Sequence, residues 1–306
     1  FTEIALYKSE SDRTAHASYA FSSSKHRVGP DNYYLNQLTV EVDGVRKDIF
    51  AGKELYIDNY RYEERQRLVN VKKETYRFLQ GLRGTRGDWD WEAAFVKSQA
   101  QSNDVTTNRL SNNLLKEALY DSTEAAYNPF SAGVNSNIER ALIDVYRKGV
   151  SDLMMVDFKI SSNDLWEMPG GNVGMLVGLE YRDEEISDDR DPRLDGTITY
   201  TDYEGDTYPL VSDVVNSSPT ADVQGSRNVV SAFTELQIPL TDKINMQAAV
   251  RHETFSDYGN STVGKIALGW EVAPWMDFRA SASTAFRAPN IIQMNEKTVV
   301  LSLIHI

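Results

Sequence analysis

The sequence predicts an all-β protein whose antiparallel, up-and-down strands belong to a transmembrane β-barrel rather than to a water-soluble sandwich. Three observations support this fold class. Long segments alternate between apolar and polar side chains, the connections between them alternate between short and long, and all five tryptophans lie near the short connections. Alternation with a period of two is typical of a strand with two different environments, but it does not alone distinguish a soluble core from lipid.

The alternation is clearest in the last third of the chain. In the segment 244–253, Ile244, Met246 and Val250 oppose Asn245 and Arg251. Several such segments exceed the five or six residues that are typical of a globular strand, and reach the roughly nine to eleven residues of a tilted membrane strand. We predict nine strands, at 1–12, 76–83, 89–102, 151–161, 171–185, 227–240, 244–257, 262–273 and 276–288.

The predicted connections favour a barrel, because they sort by length. The short ones lie at 84–88, 163–170, 241–243 and 274–275, and the long ones at 13–75, 103–150 and 186–226, followed by a tight turn in "SDYGNST". If the strands run up and down in order, the short turns all lie at one end and the long loops at the other. Outer-membrane barrels have this asymmetry, whereas a soluble sandwich has no reason for it.

The tryptophans are the candidates for a membrane-interface belt. Each lies within a few residues of a short connection, so in a barrel all of them approach one rim, where an amphipathic ring suits the boundary between headgroups and acyl chains. The alternative is that they are ordinary core residues. The candidates are Trp89, Trp91, Trp166, Trp270 and Trp275.

The long connection 103–150 is predicted to contain a short helix. Ser136 and Glu139 have capping-box spacing, Gly149 ends the segment, and Ile138, Leu142 and Val145 would share one helical face. We interpret this segment as a helix packed within an external loop. Helices of an ordinary α+β domain are the competing interpretation.

Composition excludes several classes of protein. The formal net charge is −13, which argues against a general nucleic-acid-binding protein, and no apolar run reaches the length of a membrane helix. The chain has no cysteine, so disulfides and thiolate metal sites are excluded. Phe1 is not a start residue, so we interpret the chain as a mature or truncated segment. We predict one partial barrel domain over residues 1–300 and interpret 301–306, "LSLIHI", as a non-native tail.

Several motifs, in one order along the chain, resemble the TonB-dependent outer-membrane receptors. They are "SRNVVSAFTELQIPL" at 226–240, "RHETFSDYG" at 251–259 and "WMDFRASASTAFRAP" at 275–289, with "YNPFSAG" at 127–133 and "GGNVGMLVGLEYRDE" at 170–184. The resemblance extends over most of residues 76–298, while the first 75 residues match only loosely. Several motifs in the right order are more specific than any one of them.

The resemblance implies a bacterial outer-membrane receptor that binds a scarce nutrient at its external loops and imports it with energy from the TonB complex. The ligand would be a ferric siderophore, a saccharide, cobalamin or a similar molecule, and the other partner is outer-membrane lipid. The family's plug domain, through which TonB acts, and its C-terminal strands are not recognisable here. Nine strands fall short of the twenty-two of plugged transporters, so this stretch should form an open sheet that does not transport alone.

Alternation also selects candidates for the substrate pathway, namely polar side chains that would face the lumen. They could instead pair with one another or with the plug. The candidates are Glu180, Arg182, Asn245, Gln247, Arg251, Glu253, Arg279, Ser281, Ser283 and Arg287.

Chemical alternatives are weaker. Asp90 and Glu92 could share one strand face as glycosidase carboxylates do, so a soluble β-rich glycan-active enzyme is one rival, and a passive porin-like channel is another. The histidines lack metal-ligand spacing, and the acidic run 188–195 lacks the ordered ligands of a calcium loop. We therefore predict no catalytic residue, no metal site and no cofactor.

Overall fold

The computed structural model describes residues 1–20, 26–48, 50 and 52–296 and contains one large antiparallel sheet. The interpreted tail at 301–306 lies outside the described residues. The sheet has nine strands, β1 Thr2–Ala15, β2 Arg67–Arg86, β3 Trp89–Leu110, β4 Leu142–Ser162, β5 Gly174–Arg190, β6 Val223–Thr241, β7 Ile244–Phe255, β8 Gly259–Ala273 and β9 Met276–Ser283.

The strands follow one another in the sheet in sequence order, each antiparallel to the next, and β1 and β9 form the two edges. All nine predicted strands are therefore present. The connections 87–88, 163–173, 242–243 and 274–275 lie at one end of the sheet, and 16–66, 111–141 and 191–222 lie at the other, with the tight turn 256–258. The predicted all-β, open, up-and-down architecture is confirmed.

Several strands are longer than predicted because the ladder outlasts the hydrophobic pattern. β2 begins at Arg67 rather than at residue 76, and its first part, "RLVNVKKET", carries polar side chains on both faces. β4 begins at Leu142 rather than at residue 151, and it also starts with a largely polar stretch. A strand that has water on both sides needs no alternation, so hydrophobic periodicity detects only the part with one apolar face.

The predicted helix at 136–149 is wrong. Residues Ile138–Ala141 form a single 3₁₀ turn, and from Leu142 the chain enters β4. The helix in this connection is instead α1, Asn112–Leu119, whose N-cap Ser111 accepts a hydrogen bond from the Leu114 amide. The capping-box spacing at Ser136 lost to cross-strand pairing, because Leu142–Ile143 continue the ladder of β3. Two shorter helices are α2, Pro192–Asp195, and α3, Ile291–Asn295.

The two faces of the sheet differ in polarity, and the apolar face is exposed. Leu179, Val230, Ile266 and Phe278 are 55–56% exposed, and Val250 is 44% exposed. The register places these side chains on one side, here called the apolar face, with Ile4, Phe78, Phe95 and Val156. Met246 is half-buried on the same face. So large a continuous apolar surface is typical of contact with lipid or a partner.

The apolar face forms a band of limited height. On β5 it extends from Met175 to Tyr181, about 20 Å at roughly 3.3 Å per residue, and gives way to Asp183 and Glu185. On β3 it ends at Phe95. A transmembrane barrel has an apolar band about 25 Å tall, so the two heights agree. Among the described residues, no helix has the length and apolar character needed to cross a bilayer.

The hydrophobic core lies in the long connections rather than on the sheet. The connections 16–66, 111–141 and 191–222 pack together into a unit here called the cap. Its buried side chains are Ala20, Val28, Leu35, Ile57, Tyr62, Leu110, Leu115, Ala118, Leu119, Tyr127, Ile138, Ala141 and Val215. The cap satisfies the hydrophobic effect as a soluble domain does, which is expected of loops that stand in water.

A pair of leucines on β5 tests the assignment of the faces. Leu179 lies on the apolar face, whereas Leu176 lies on the opposite face beside Glu235. In the intact protein we expect Leu179→Arg to destabilise the membrane-inserted state by about 2–4 kcal/mol, the cost of an arginine at the bilayer midplane. We expect Leu176→Arg to be tolerated. Urea unfolding in lipid vesicles measures both, and equal losses in the two variants would contradict the assignment.

Candidate functional site on the polar face

The register brings nine of the ten candidate pathway residues to one side of the sheet, here called the polar face. Glu180 lies opposite Ser231, which lies opposite Glu253. Asn245 aligns with Gly269 and Arg279, and the remaining candidates on β5, β7 and β9 follow at steps of two. The tenth, Arg287, lies beyond the end of β9 and is not part of the sheet.

The predicted strand 276–288 ends early, at Ser283, which is why Arg287 leaves the register. Thr284 still exchanges hydrogen bonds with Gly264, and the chain then turns away from β8. Phe286, expected on the apolar face, lies instead against Phe255 and Tyr258, with ring centroids at 6.0 and 5.6 Å. Phe255 belongs to the polar face of β7, so the "FRAP" segment folds over the loop end of that face.

Arg251 is the centre of an ion network on this face. Its guanidinium lies 3.2 Å from a Glu180 carboxylate oxygen and 2.8 Å from a Glu253 carboxylate oxygen, and it donates to the Ser231 hydroxyl at 3.0 Å. The Ser231 hydroxyl in turn donates to Glu253 at 3.1 Å. One cation thus holds two carboxylates from β5 and β7 across β6.

An aromatic ring supports this network. Arg251 stacks over Phe233, 4–6 Å being the usual range of such contacts, with 5.2 Å between its carbon Cζ and the ring centroid. Phe233 lies across Gly178 of the neighbouring strand, where a Cβ atom would come within 2.2 Å of the ring. Glycine at this position leaves room for the ring to lie on the backbone of β5.

A second ion pair closes the loop end of the polar face. Arg227 donates from Nε and Nη2 to the two carboxylate oxygens of Asp257, both at 2.7 Å, and lies over the Phe255 ring. Such a fork is the geometry in which arginine holds a carboxylate most strongly. It ties the start of β6 to the turn after β7.

Sequence reasoning missed Arg227, Ser231, Phe233 and Asp257, although all four lie within the motifs at 226–240 and 251–259. The signal was present in the spacing. Arg227, Ser231 and Phe233 share the parity of the polar face, and antiparallel pairing of the two motifs brings Ser231 opposite Glu253. Pairing the motifs before selecting polar residues would have found them.

The other candidates are arranged more loosely. Gln247 contacts Glu235 and accepts a hydrogen bond from Lys265 at 3.1 Å. Arg182 forms an ion pair with Glu184 at 3.0 Å. Arg279, Ser281 and Ser283 lie exposed on the edge strand β9. The face as a whole is a hydrated wall of paired charges.

The two carboxylates of the enzyme hypothesis are both engaged in such pairs. Asp90 accepts a hydrogen bond from Thr85 at 2.6 Å, and Glu92 accepts one from Lys159 at 3.2 Å. Lys159 also lies 3.7 Å from Asp157. These contacts are those of a charged barrel wall, and a raised-pKa acid, which glycosidases need, has no support here.

The acidic run at 188–195 serves the strand end and α2 rather than a calcium loop. Asp188 accepts hydrogen bonds from Arg147 at 2.7 and 2.8 Å, and Asp191 caps α2. A different acidic group, Asp202, Glu204 and Asp206, has carboxylate oxygens within 4.8 Å of one another. Asp202 accepts the amides of Glu204 and Asp206 at 2.9 Å, so this carboxylate organises its own turn.

The tryptophans lie at the turn end of the sheet, opposite to the cap. Trp89 and Trp91 begin β3, Trp166 lies in the connection 163–173, and Trp270 and Trp275 flank the turn before β9. Trp166, Trp270 and Trp275 are exposed. Trp270 pairs with Phe278 on the apolar face. Their positions agree with those expected of a belt.

The cap is held by buried polar contacts as well as by its core. His26 is fully buried, with Nδ1 2.9 Å from the Tyr62 hydroxyl and Nε2 2.9 Å from the Asn112 Oδ1. An amide oxygen only accepts, so Nε2 donates to Asn112 and Nδ1 accepts from Tyr62. Burial lowers the pKa of His26 to about 4, so the imidazole is neutral.

A buried carboxylate joins two of the cap's connections. Asp213 is fully buried, accepts the Ser111 hydroxyl at 2.8 and 2.9 Å and the Asn113 amide at 2.9 Å, and contacts Arg193. It therefore fixes the first turn of α1 to the connection 191–222. With the His26 contacts, which join 16–66 to α1, all three connections are tied at one point.

Comparison with known proteins identifies the family. Residues 9–299 match the family described as "TonB dependent receptor-like, beta-barrel". The chain belongs to this TonB-dependent receptor family. Members of the family are outer-membrane proteins of bacteria and are transporters rather than enzymes. The resemblance inferred from the motifs is confirmed, and the catalytic reading of Asp90 and Glu92 is set aside.

Curated relatives of this TonB-dependent receptor chain include the vitamin B12 transporters BtuB of Vibrio cholerae serotype O1 strains O395 and M66-2. Each is 32% identical over 74 residues, which is 24% of this chain and 12% of the relative. A solved structure, the ferric enterobactin receptor PfeA (Q482A) of Pseudomonas aeruginosa with enterobactin, is 12% identical, with a TM-score of 0.37. The alignment covers 95% of this chain and 40% of that one. The chain thus spans a minor part of the length of these proteins.

Removing Arg251 tests the ion network. We expect Arg251→Ala to lower the free energy of unfolding of the intact protein by about 1–3 kcal/mol, because two partly buried carboxylates lose their cation. The triple variant Arg251→Ala, Glu180→Gln, Glu253→Gln should recover most of that loss. Urea unfolding in vesicles gives both values. A triple variant no more stable than Arg251→Ala would show that the network does not carry the effect.

His26 makes the stability of the cap depend on pH. Its pKa is about 4 when folded and 6.5 when exposed, so the unfolded chain gains the proton first as the pH falls. The stabilisation is complete above pH 6.5 and is lost between 6.5 and 4, by about 3 kcal/mol in total. Hydrogen exchange of α1 at several pH values measures this loss. His26→Gln is the control, and an unchanged pH slope in that variant would exclude His26 as its source.

Proposed function

We propose that the intact protein is an outer-membrane receptor that binds a scarce nutrient at its cap and imports it with energy from the TonB complex. The observation that carries this proposal is the exposed apolar band on a sheet whose opposite face is a wall of paired charges. In a bilayer the first face meets hydrocarbon, and the second lines a hydrated interior.

The arrangement of the two ends supports an orientation. Short turns and tryptophans lie at one end, and the cap lies at the other. In outer-membrane barrels the short turns are periplasmic and the longer loops are extracellular. We therefore place the cap outside the cell, the five tryptophans at the periplasmic interface, and the nine sheet candidates, together with Arg227 and Ser231, along the interior wall.

The printed names of the relatives suggest ligand classes to try. BtuB is named for vitamin B12, and the PfeA structure contains enterobactin. For the present protein we propose a small nutrient of comparable kind, with a cobalamin, a ferric siderophore or a saccharide as the candidates. TonB would act through a plug domain of the intact protein, and no resident cofactor is needed for import.

Energy dependence distinguishes this proposal from a passive porin-like channel. We expect cells that express the intact protein to accumulate labelled cyanocobalamin or a ferric siderophore above the external concentration. Because the energy comes from the inner membrane, a protonophore or loss of TonB should reduce accumulation to equilibration. Cells without the gene are the control. Equilibration that is insensitive to both treatments would support the channel and contradict our proposal.

A further inference from the structure

At the cap end of the polar face lies a cavity of about 290 Å³ that is lined by arginines. Arg61, Arg67 and Arg109 line it beside His16 and Ser18, and none of its lining residues is acidic. His16 and Arg67 also line an adjoining cavity, which includes Arg13. The chain as a whole has a formal net charge of −13, so this concentration of cations opposes the charge of the protein.

The backbone aims two of these arginines at the cavity. Arg67 is the first residue of β2 and pairs with Ala15 at the end of β1. On β3, Asn108 adopts a positive φ of 59° in a bulge, so three residues from Thr106 to Arg109 oppose two on β4. Without the bulge, residue 108 would occupy the polar face. The bulge transfers that position to Arg109, a common role of bulges beside functional sites.

The cations in the cavity lack compensating charge. Arg109 donates to the Val215 carbonyl at 3.3 Å and Arg67 to the His16 carbonyl at 2.6 Å, both neutral acceptors. Within the described part of the chain, neither arginine has a carboxylate within 4.0 Å. Arg61 has an exposed partner, Glu63, at 3.4 Å.

Two buried polar atoms of the cavity are unsatisfied. The Nε of Arg109 and the hydroxyl of Ser18 have no hydrogen-bond partner, and Ser18 is only 5% exposed. A buried donor without a partner is costly and needs an explanation, for which a missing ligand is one of the standard ones. The cavity therefore offers guanidinium and hydroxyl donors with a net positive charge.

We propose that this cavity binds an oxyanion group, a carboxylate or a phosphate, of a soluble ligand. The planar fork of arginine matches the oxygens of such groups and makes two parallel hydrogen bonds to them. The inference rests on the proposed function, because the oxyanion would belong to the imported nutrient and would define it as anionic. Lipid phosphate offers the same chemistry, but the cavity lies on the face opposite to the apolar band.

The test is a calorimetric titration of the intact protein with inorganic phosphate and with malonate at constant ionic strength. We expect Arg67→Gln and Arg109→Gln each to weaken binding at least tenfold. The control is Arg65→Gln, an exposed arginine of the cap that pairs with Glu139 and lies outside the cavity lining; its affinity should be unchanged. Absence of binding by the wild type, or equal affinity in all variants, would overturn the inference.

Thermal unfolding without anion separates a ligand site from a structural role. Removing an uncompensated cation should leave the melting temperature unchanged or raise it, and phosphate should stabilise the wild type but not Arg109→Gln. A lower melting temperature with unchanged anion affinity would overturn the inference. Should Arg109→Gln not fold, Ser18→Ala is the substitute variant, with weaker binding expected.

Two further comparisons separate this site from the proposed function and from lipid binding. Concentrative uptake without anion binding overturns the site alone, whereas anion binding without concentrative uptake overturns the proposed function alone. Vesicles of phosphatidylglycerol should leave phosphate affinity unchanged relative to phosphatidylcholine vesicles. Competition by the phosphatidylglycerol headgroup would overturn the assignment to a soluble ligand.

Discussion

The structure depends on the demand that a backbone in lipid satisfy its own hydrogen bonds. Hydrocarbon offers no donor or acceptor, so a strand crosses a membrane only inside a ladder whose outward side chains are apolar. The nine strands meet both conditions over the band from Met175 to Tyr181 on β5 and its equivalents on neighbouring strands. Beyond that band, water replaces lipid, and the outward side chains become polar while the ladder continues.

This constraint moves the hydrophobic core away from the sheet. A soluble sheet buries its apolar face under a second layer, whereas here the buried apolar side chains collect in the cap. Leu179 and Phe278 stay exposed, and Leu115, Leu119 and Tyr127 are buried. The sheet is thus built for a nonaqueous surrounding and the cap for an aqueous one, within a single chain.

The sequence predicts most of the sheet because lipid contact imposes a strict period of two. All nine strands and the parity of nine pathway residues follow from that period. It fails where the period is absent. The polar start of β4 resembled a helix, and Arg287 lay beyond the last paired residue. Arg109 could not be found, because a bulge shifts its parity, and the cap contacts of His26 join residues 86 apart in sequence.

The cap's internal contacts have a consequence for ligand binding. His26 and Asp213 join three long connections through buried hydrogen bonds, so the ordering entropy of these loops is lost on folding rather than on binding. A ligand that meets a preorganised cap retains more of its interaction energy. Because Arg109 donates to Val215, which belongs to the buried core of the cap, the cation-lined cavity is attached to that same rigid unit. Displacement of the cap during import would therefore move the arginine donors and weaken their hold on an oxyanion. Binding and release thus share one structural element.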